Sequence, residues 1–98
     1  MNTVKDWEQY FEVERDVVVA ELVAEGYEKV KEGMFVFGFW NVTLKRGDER
    51  VELSCEAIEQ EELDEGTITP EEADWCVTLI RIWNVNDEDG TEQIYPED

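Results

Sequence analysis

Trp40-Asn41-Val42-Thr43-Leu44-Lys45-Arg46-Gly47-Asp48-Glu49-Arg50-Val51-Glu52-Leu53-Ser54-Cys55 reads as two strands folded back on a tight turn. If Gly47 and Asp48 form a two-residue loop, Leu44 falls opposite Val51, Val42 opposite Leu53, Trp40 opposite Cys55 and Gly38 opposite Ala57. Apolar then meets apolar throughout. A slip of one residue would turn Val51 and Leu53 to the wrong face, so the alternation selects this register. The same turn accounts for Arg46-Gly47-Asp48, an integrin-binding tripeptide by spelling, without a receptor.

Working outward, period-two alternation extends the first strand over 34–45. Met34, Val36, Trp40, Val42 and Leu44 share one face, and Phe35, Phe37, Phe39, Asn41 and Thr43 the other. The second strand covers 50–57. A short strand over 27–31 is expected to pair back through a Glu32-Gly33 turn, setting Tyr27 against Gly38. Residues 75–85 are β-branched and apolar on both faces, which predicts an interior strand.

Upstream, Thr3 as N-cap and Val4, Trp7, Phe11 and Val18 at helical spacing, widened by Tyr10, Val17 and Ala24, predict one helix over 4–25. Gly26 is placed to end it. The run Val17-Val18-Val19 is its weak point and marks a kink near Asp16. Thr69, Pro70 and Glu72 have the order of a capping box and predict a helical turn over 70–74. Residues 59–66 read as an acidic loop, and the chain from Gly90 to Asp98 as a frayed acidic tail. The resulting fold class is α+β, with an N-terminal helix packed on an antiparallel sheet of three to four strands in one domain spanning 1–98.

Ninety-eight residues, 42% of them hydrophobic and including four Trp, three Tyr and four Phe, suffice for one core. There is no His, which removes the commonest general base and zinc ligand. Cys55 and Cys76 are too few and too far apart for a disulfide framework or a metal knuckle. No phosphate loop, nucleophile elbow or Cys/His pair is present. Asn86-Asp87-Glu88-Asp89-Gly90-Thr91-Glu92 has calcium-loop composition, but Val85 stands where the first ligand belongs. These absences predict a non-enzymatic protein with no cofactor, metal or catalytic residues. With neither a membrane-length apolar run nor a signal-peptide pattern, the expected location is the cytoplasm, or the host cytoplasm for a phage-encoded chain.

The formal net charge is −19, and it is regional. Residues 51–98 hold sixteen acids against Arg81 alone. Glu56, Glu59, Glu61, Glu62, Asp64, Glu65, Glu71, Glu72 and Asp74 fall where no Lys or Arg occurs between Arg50 and Arg81. Uncompensated charge costs stability, so a reward is expected. Duplex DNA carries about one charge per 1.7 Å, and a protein channel built for that density would also accept closely set carboxylates. The expected partner is a basic protein, a nuclease or other nucleic-acid-binding protein, with no direct contact to nucleic acid or membrane.

In size and charge the chain resembles the small acidic phage proteins that block restriction or CRISPR nucleases, a likeness of type that carries no residue over. It implies an inhibitor acting as a nucleic-acid mimic. Two alternatives stand beside it: an immunity protein neutralising a basic toxin, and an acidic adaptor or assembly subunit. For the last, Phe35, Phe37 and Phe39 would form an aromatic sheet face joining a homodimer, unless Tyr27, the second half of the chain or a kinked helix covers them.

Overall fold

The computed structural model describes residues 6–34 and 38–95. After a 3₁₀ turn at Trp7–Tyr10 come helix α1 (Arg15–Ala24) and strands β1 (Glu28–Met34), β2 (Trp40–Arg46) and β3 (Glu49–Ala57). Helix α2 (Gln60–Glu65) and strands β4 (Trp75–Asn84) and β5 (Glu92–Tyr95) follow. The strands form one antiparallel sheet in the order β1-β2-β3-β4-β5. The α+β class is as expected, with five strands rather than three or four.

The β2–β3 hairpin has the expected register: Leu44 pairs with Val51, Val42 with Leu53 and Trp40 with Cys55. All but Trp40 of these six are fully buried. The ladder stops at Trp40, because Gly38 adopts φ +83°, a left-handed conformation that takes the chain out of the strand. Ala57 thus has no partner on β2 and pairs only on its other side, with Trp75 of β4.

β1 is longer than expected, and no turn forms at Glu32-Gly33. Glu32 pairs with Val42, Gly33 with Asn41 and Met34 with Trp40, so Met34 closes β1 rather than opening β2. Continuing the ladder gives these residues backbone partners that a turn would forgo. Glu32 is pinned in it by Lys29 Nζ at 2.6 Å and Trp40 Nε1 at 3.1 Å. Tyr27 consequently lies far from Gly38. Its ring meets Trp7 edge-on at 6.3 Å and carries the Arg46 guanidinium 4.4 Å from its centroid, while its hydroxyl donates to Glu49.

The single N-terminal helix is corrected to a 3₁₀ turn and a shorter helix, parted at residues 11–14. Glu12 has φ 65°, its N–H donates to the Val77 carbonyl at 2.8 Å, and the Val77 N–H donates to the Val13 carbonyl at 3.0 Å. Glu14 bridges to Cys76. This segment pairs with the outer edge of β4 beyond the reach of β5, and that pairing takes the backbone groups a continuous helix would use. The valine run stays helical. Val18 and Leu22 face the core, one turn apart, while Val17 is 48% exposed and Ala24 is also exposed.

β4 is interior, as expected, but its faces are not those of simple alternation. Cys55 pairs with Val77 and Ser54 with Leu79, leaving Thr78 as an extra residue. This bulge turns Trp75, Val77, Ile80 and Ile82 all toward the core and leaves Leu79 39% exposed. The tail is also corrected. Residues 92–95 pair with Trp83 through Ile80, Glu92 reaches Arg81 Nε at 3.6 Å, and Tyr95 packs against the core. Residues 96–98 lie outside the described chain.

α1, the 3₁₀ turn and Tyr27 cover one face of the sheet, where Trp7, Tyr10, Val18 and Leu22 meet the buried residues of β2, β3 and β4. No described element lies over the opposite face.

Candidate acidic interface

β3 ends at Ala57 and β4 begins at Trp75, both at the end of the sheet remote from the 46–49 turn. The 59–74 segment is thus suspended from one rim of the molecule. Its first part is helix α2, not the loop that so many adjacent acids imply. Leu63 packs against the core, Gln60 Nε2 donates to Asp64 Oδ1 at 2.9 Å, and Gly66 ends the helix at φ 78°. With Leu63 inward, 100° per residue sends Glu61 and Glu65 directly outward, with Glu62 and Asp64 on the flanks. All four are exposed.

The second part forms the expected capping turn. Glu72 Oε1 accepts from the Thr69 N–H at 3.1 Å and from Thr69 Oγ1 at 2.9 Å, and Trp75 Nε1 donates to the Pro70 carbonyl at 2.9 Å. The Thr69 donors hold the Glu72 carboxyl below its ordinary range. The two parts are tied together by Ile58 N–H to the Asp74 carbonyl at 2.9 Å. Glu59 faces Asp74 there. Partial loss of water and then the Asp74 carboxyl raise the Glu59 pKa, with Glu62 adding to the effect.

Two further carboxylates come from the first half of the chain. Because Glu14 bridges to Cys76, the start of α1 lies beside the 69–74 turn. A concavity of about 110 Å³ is lined there by Glu14, Asp16, Glu71, Glu72 and Asp74 with Arg15. Nothing local in the sequence signals Glu14 or Asp16, since a non-local backbone bridge brings them in. Arg15 is the one described cation in this group. Its Nε pairs with Asp16 at 3.1 Å, its guanidinium lies 5.1 Å from the Trp40 ring centre, and its side chain is 16% exposed. It is tied down inside the rim rather than spread across it.

Glu56 does not belong to this rim. It points from β3 to the uncovered sheet face, lining a groove with Phe39, Asn41, Ser54, Thr78 and Leu79. Of the three candidate aromatic residues, Phe39 is 37% exposed on that face, whereas Phe35 and Phe37 lie outside the described residues.

The other described cations with ion pairs are engaged elsewhere: Lys29 with Glu32, Arg46 with Glu49, and Arg81 with Glu52 and Glu92. Among the described residues no group of three His, Cys, Asp or Glu is arranged to hold a metal ion, and no helix is long and apolar enough to cross a membrane. The Cys55 thiol is pushed up to about 12, chiefly by burial. Cys76 is raised as well, by burial first and then by Glu56 and Glu12. Neither thiol is activated. Searches against protein-family models, curated proteins and solved structures find no match for this chain.

Proposed function

We propose that this is a non-enzymatic, acidic protein-binding inhibitor that occupies the nucleic-acid-binding site of a nuclease or other DNA- or RNA-binding protein. The observation that carries this reading is the clustering of Glu14, Asp16, Glu71, Glu72 and Asp74 around one immobilised arginine, with Glu59 and Glu62 adjoining at Asp74. α2 adds an outward row of carboxylates to the same rim. Fixed carboxylates projecting from a rim reproduce the charge density a phosphate channel is built to take, and they steer encounter with it. The cytoplasm is the compartment where such a partner would be met.

A specific observation also favours the immunity-protein reading. A crevice of about 220 Å³ between α2 and the 69–74 turn combines the apolar Leu63, Ile68, Pro70 and Trp75 with Gln60, Asp64 and Gly38. It offers a partly apolar socket among the charges for an anchor side chain of a partner, a common feature of tight protein–protein recognition. The two readings differ in whether nucleic acid is displaced from the partner.

Affinity capture tests what they share. The wild-type chain is expected to retain a basic protein that elutes as salt rises. A variant carrying Glu61→Gln, Glu62→Gln, Glu71→Gln and Asp74→Asn, folded by circular dichroism, is expected to retain it at least about tenfold less, about 1.4 kcal/mol. Equal retention by the variant would remove the acidic rim from the interface.

A further inference from the structure

The uncovered face of the sheet differs in charge from the rest of the molecule. Cross-strand pairing arranges its side chains in rows: Lys45, Arg50, Trp83 and Glu92 nearest the 46–49 turn, then Thr43, Glu52, Arg81 and Ile94, then Asn41, Ser54 and Leu79, with Glu56 and Phe39 at the far end. β1 adds Glu28 beside Lys45 and Lys31 beside Thr43, so four of the eight bases of a chain with net charge −19 lie here (Lys31, Lys45, Arg50 and Arg81), opposed by Glu28, Glu52, Glu56 and Glu92. The face is therefore nearly neutral. It also exposes Phe39 (37%) and Leu79 (39%) around a groove of about 380 Å³, and Ile94 (45%) beside Arg81 on β5. In the groove wall the Asn41 Oδ1 atom is buried without a hydrogen-bond partner.

We propose that this face binds a second copy of the same chain, sheet to sheet, about a twofold axis running across the strands between Glu52 and Ser54. With the strands of the two copies aligned, face-to-face packing permits two twofold arrangements. An axis along the strands lays the Lys45–Arg50 row on its own copy, which sets like charges together. An axis across the strands reverses the rows. Arg50 of each copy then meets Glu56 of the other, and the aliphatic stems of Lys45 and Arg81 lie over Phe39 and Leu79. Charge complementarity selects the second arrangement.

Area sets the strength. Five strands about 4.8 Å apart, with about seven residues of 3.3 Å in each, present roughly 20 by 23 Å, on the order of 900 Å² over both copies. That is at the low edge of specific interfaces, so the dimer is weak and reversible. The acidic rim stays outside it.

Sedimentation equilibrium of the full chain from micromolar to millimolar concentration tests the proposal. A monomer–dimer equilibrium is expected. Arg50→Glu alone and Glu56→Arg alone should each weaken it at least about tenfold, while the double swap Arg50→Glu/Glu56→Arg should restore it. Because Arg50 also donates to the Gly47 carbonyl at 2.9 Å, its single variant can disturb the turn. Leu79→Asp supplies an independent arm: the dimer should be lost with the melting temperature of the monomer unchanged. A chain that stays monomeric throughout, a dimer indifferent to Leu79→Asp and Glu56→Arg, or a double swap no better than its singles would each overturn the proposal.

Discussion

Glu59 and Asp74 face each other across the base of the acidic rim, and the energetic consequence has a definite sign. A carboxyl whose pKa is raised on folding binds more protons folded than unfolded, so stability falls as pH climbs above the ordinary glutamate value of about 4.3. Glu59 is such a group. Glu72, held low by Thr69, acts in the opposite sense: its contribution is present at neutral pH and is lost on acidification. Glu59→Gln should therefore melt higher than the wild type at neutral pH, with the difference closing below the ordinary glutamate range. Two pH–melting curves that run parallel would show that the Glu59–Asp74 pair carries no such penalty. The Thr69–Glu72 contact was legible in the sequence because capping is local, spanning three residues. The Glu59–Asp74 pair was not, since a helix and a turn separate its members and the Ala57–Trp75 strand pairing with the Ile58–Asp74 backbone bond closes the gap.

At the scale of elements, the β2–β3 hairpin was legible for the same reason of locality: alternation and a two-residue loop leave one register that buries every valine and leucine. β1 and β5 were harder. β5 is a short edge strand whose Gln93 and Ile94 are exposed, and no apolar alternation announces it. The N-terminal helix is interrupted because Val77 offers backbone groups to residues 12 and 13, and this tertiary pairing overrides the helical spacing of the sequence. The Thr78 bulge was invisible for a related reason, since residues 75–83 alternate well enough in either parity. Its effect is large. Deleting Thr78 forces β4 to choose between burying Trp75 with Val77 and burying Ile80 with Ile82. Losing either pair removes at least about 3–5 kcal/mol of apolar burial, a large part of the stability of a domain this size. The deletion variant should show no cooperative melting transition; a transition within a few degrees of the wild type would mean that the bulge does not set the faces.

For the whole molecule, the excess of acids is the dominant fact, and it was legible from composition alone. What composition does not reveal is where the charges go. The fold collects the carboxylates of 59–74 on one rim, adds Glu14 and Asp16, and ties the one intruding cation, Arg15, to Asp16 and Trp40. Glu56 departs to the open sheet face. A net charge of −19 on one small domain repels itself, so the melting temperature should rise as sodium chloride screens it over the first few tenths molar. A flat profile would mean that the repulsion is already offset within the fold.

The same clustering predicts what the protein does to a partner. The decisive measurement is displacement of a fluorescent duplex from a captured nucleic-acid-binding partner, followed by anisotropy as this chain is titrated in. Stoichiometric release by the wild type, together with at least about tenfold weaker release by the variant neutralised at Glu61, Glu62, Glu71 and Asp74, is the expected result. A duplex that stays bound while the partner is saturated with this protein would contradict occupation of the nucleic-acid site.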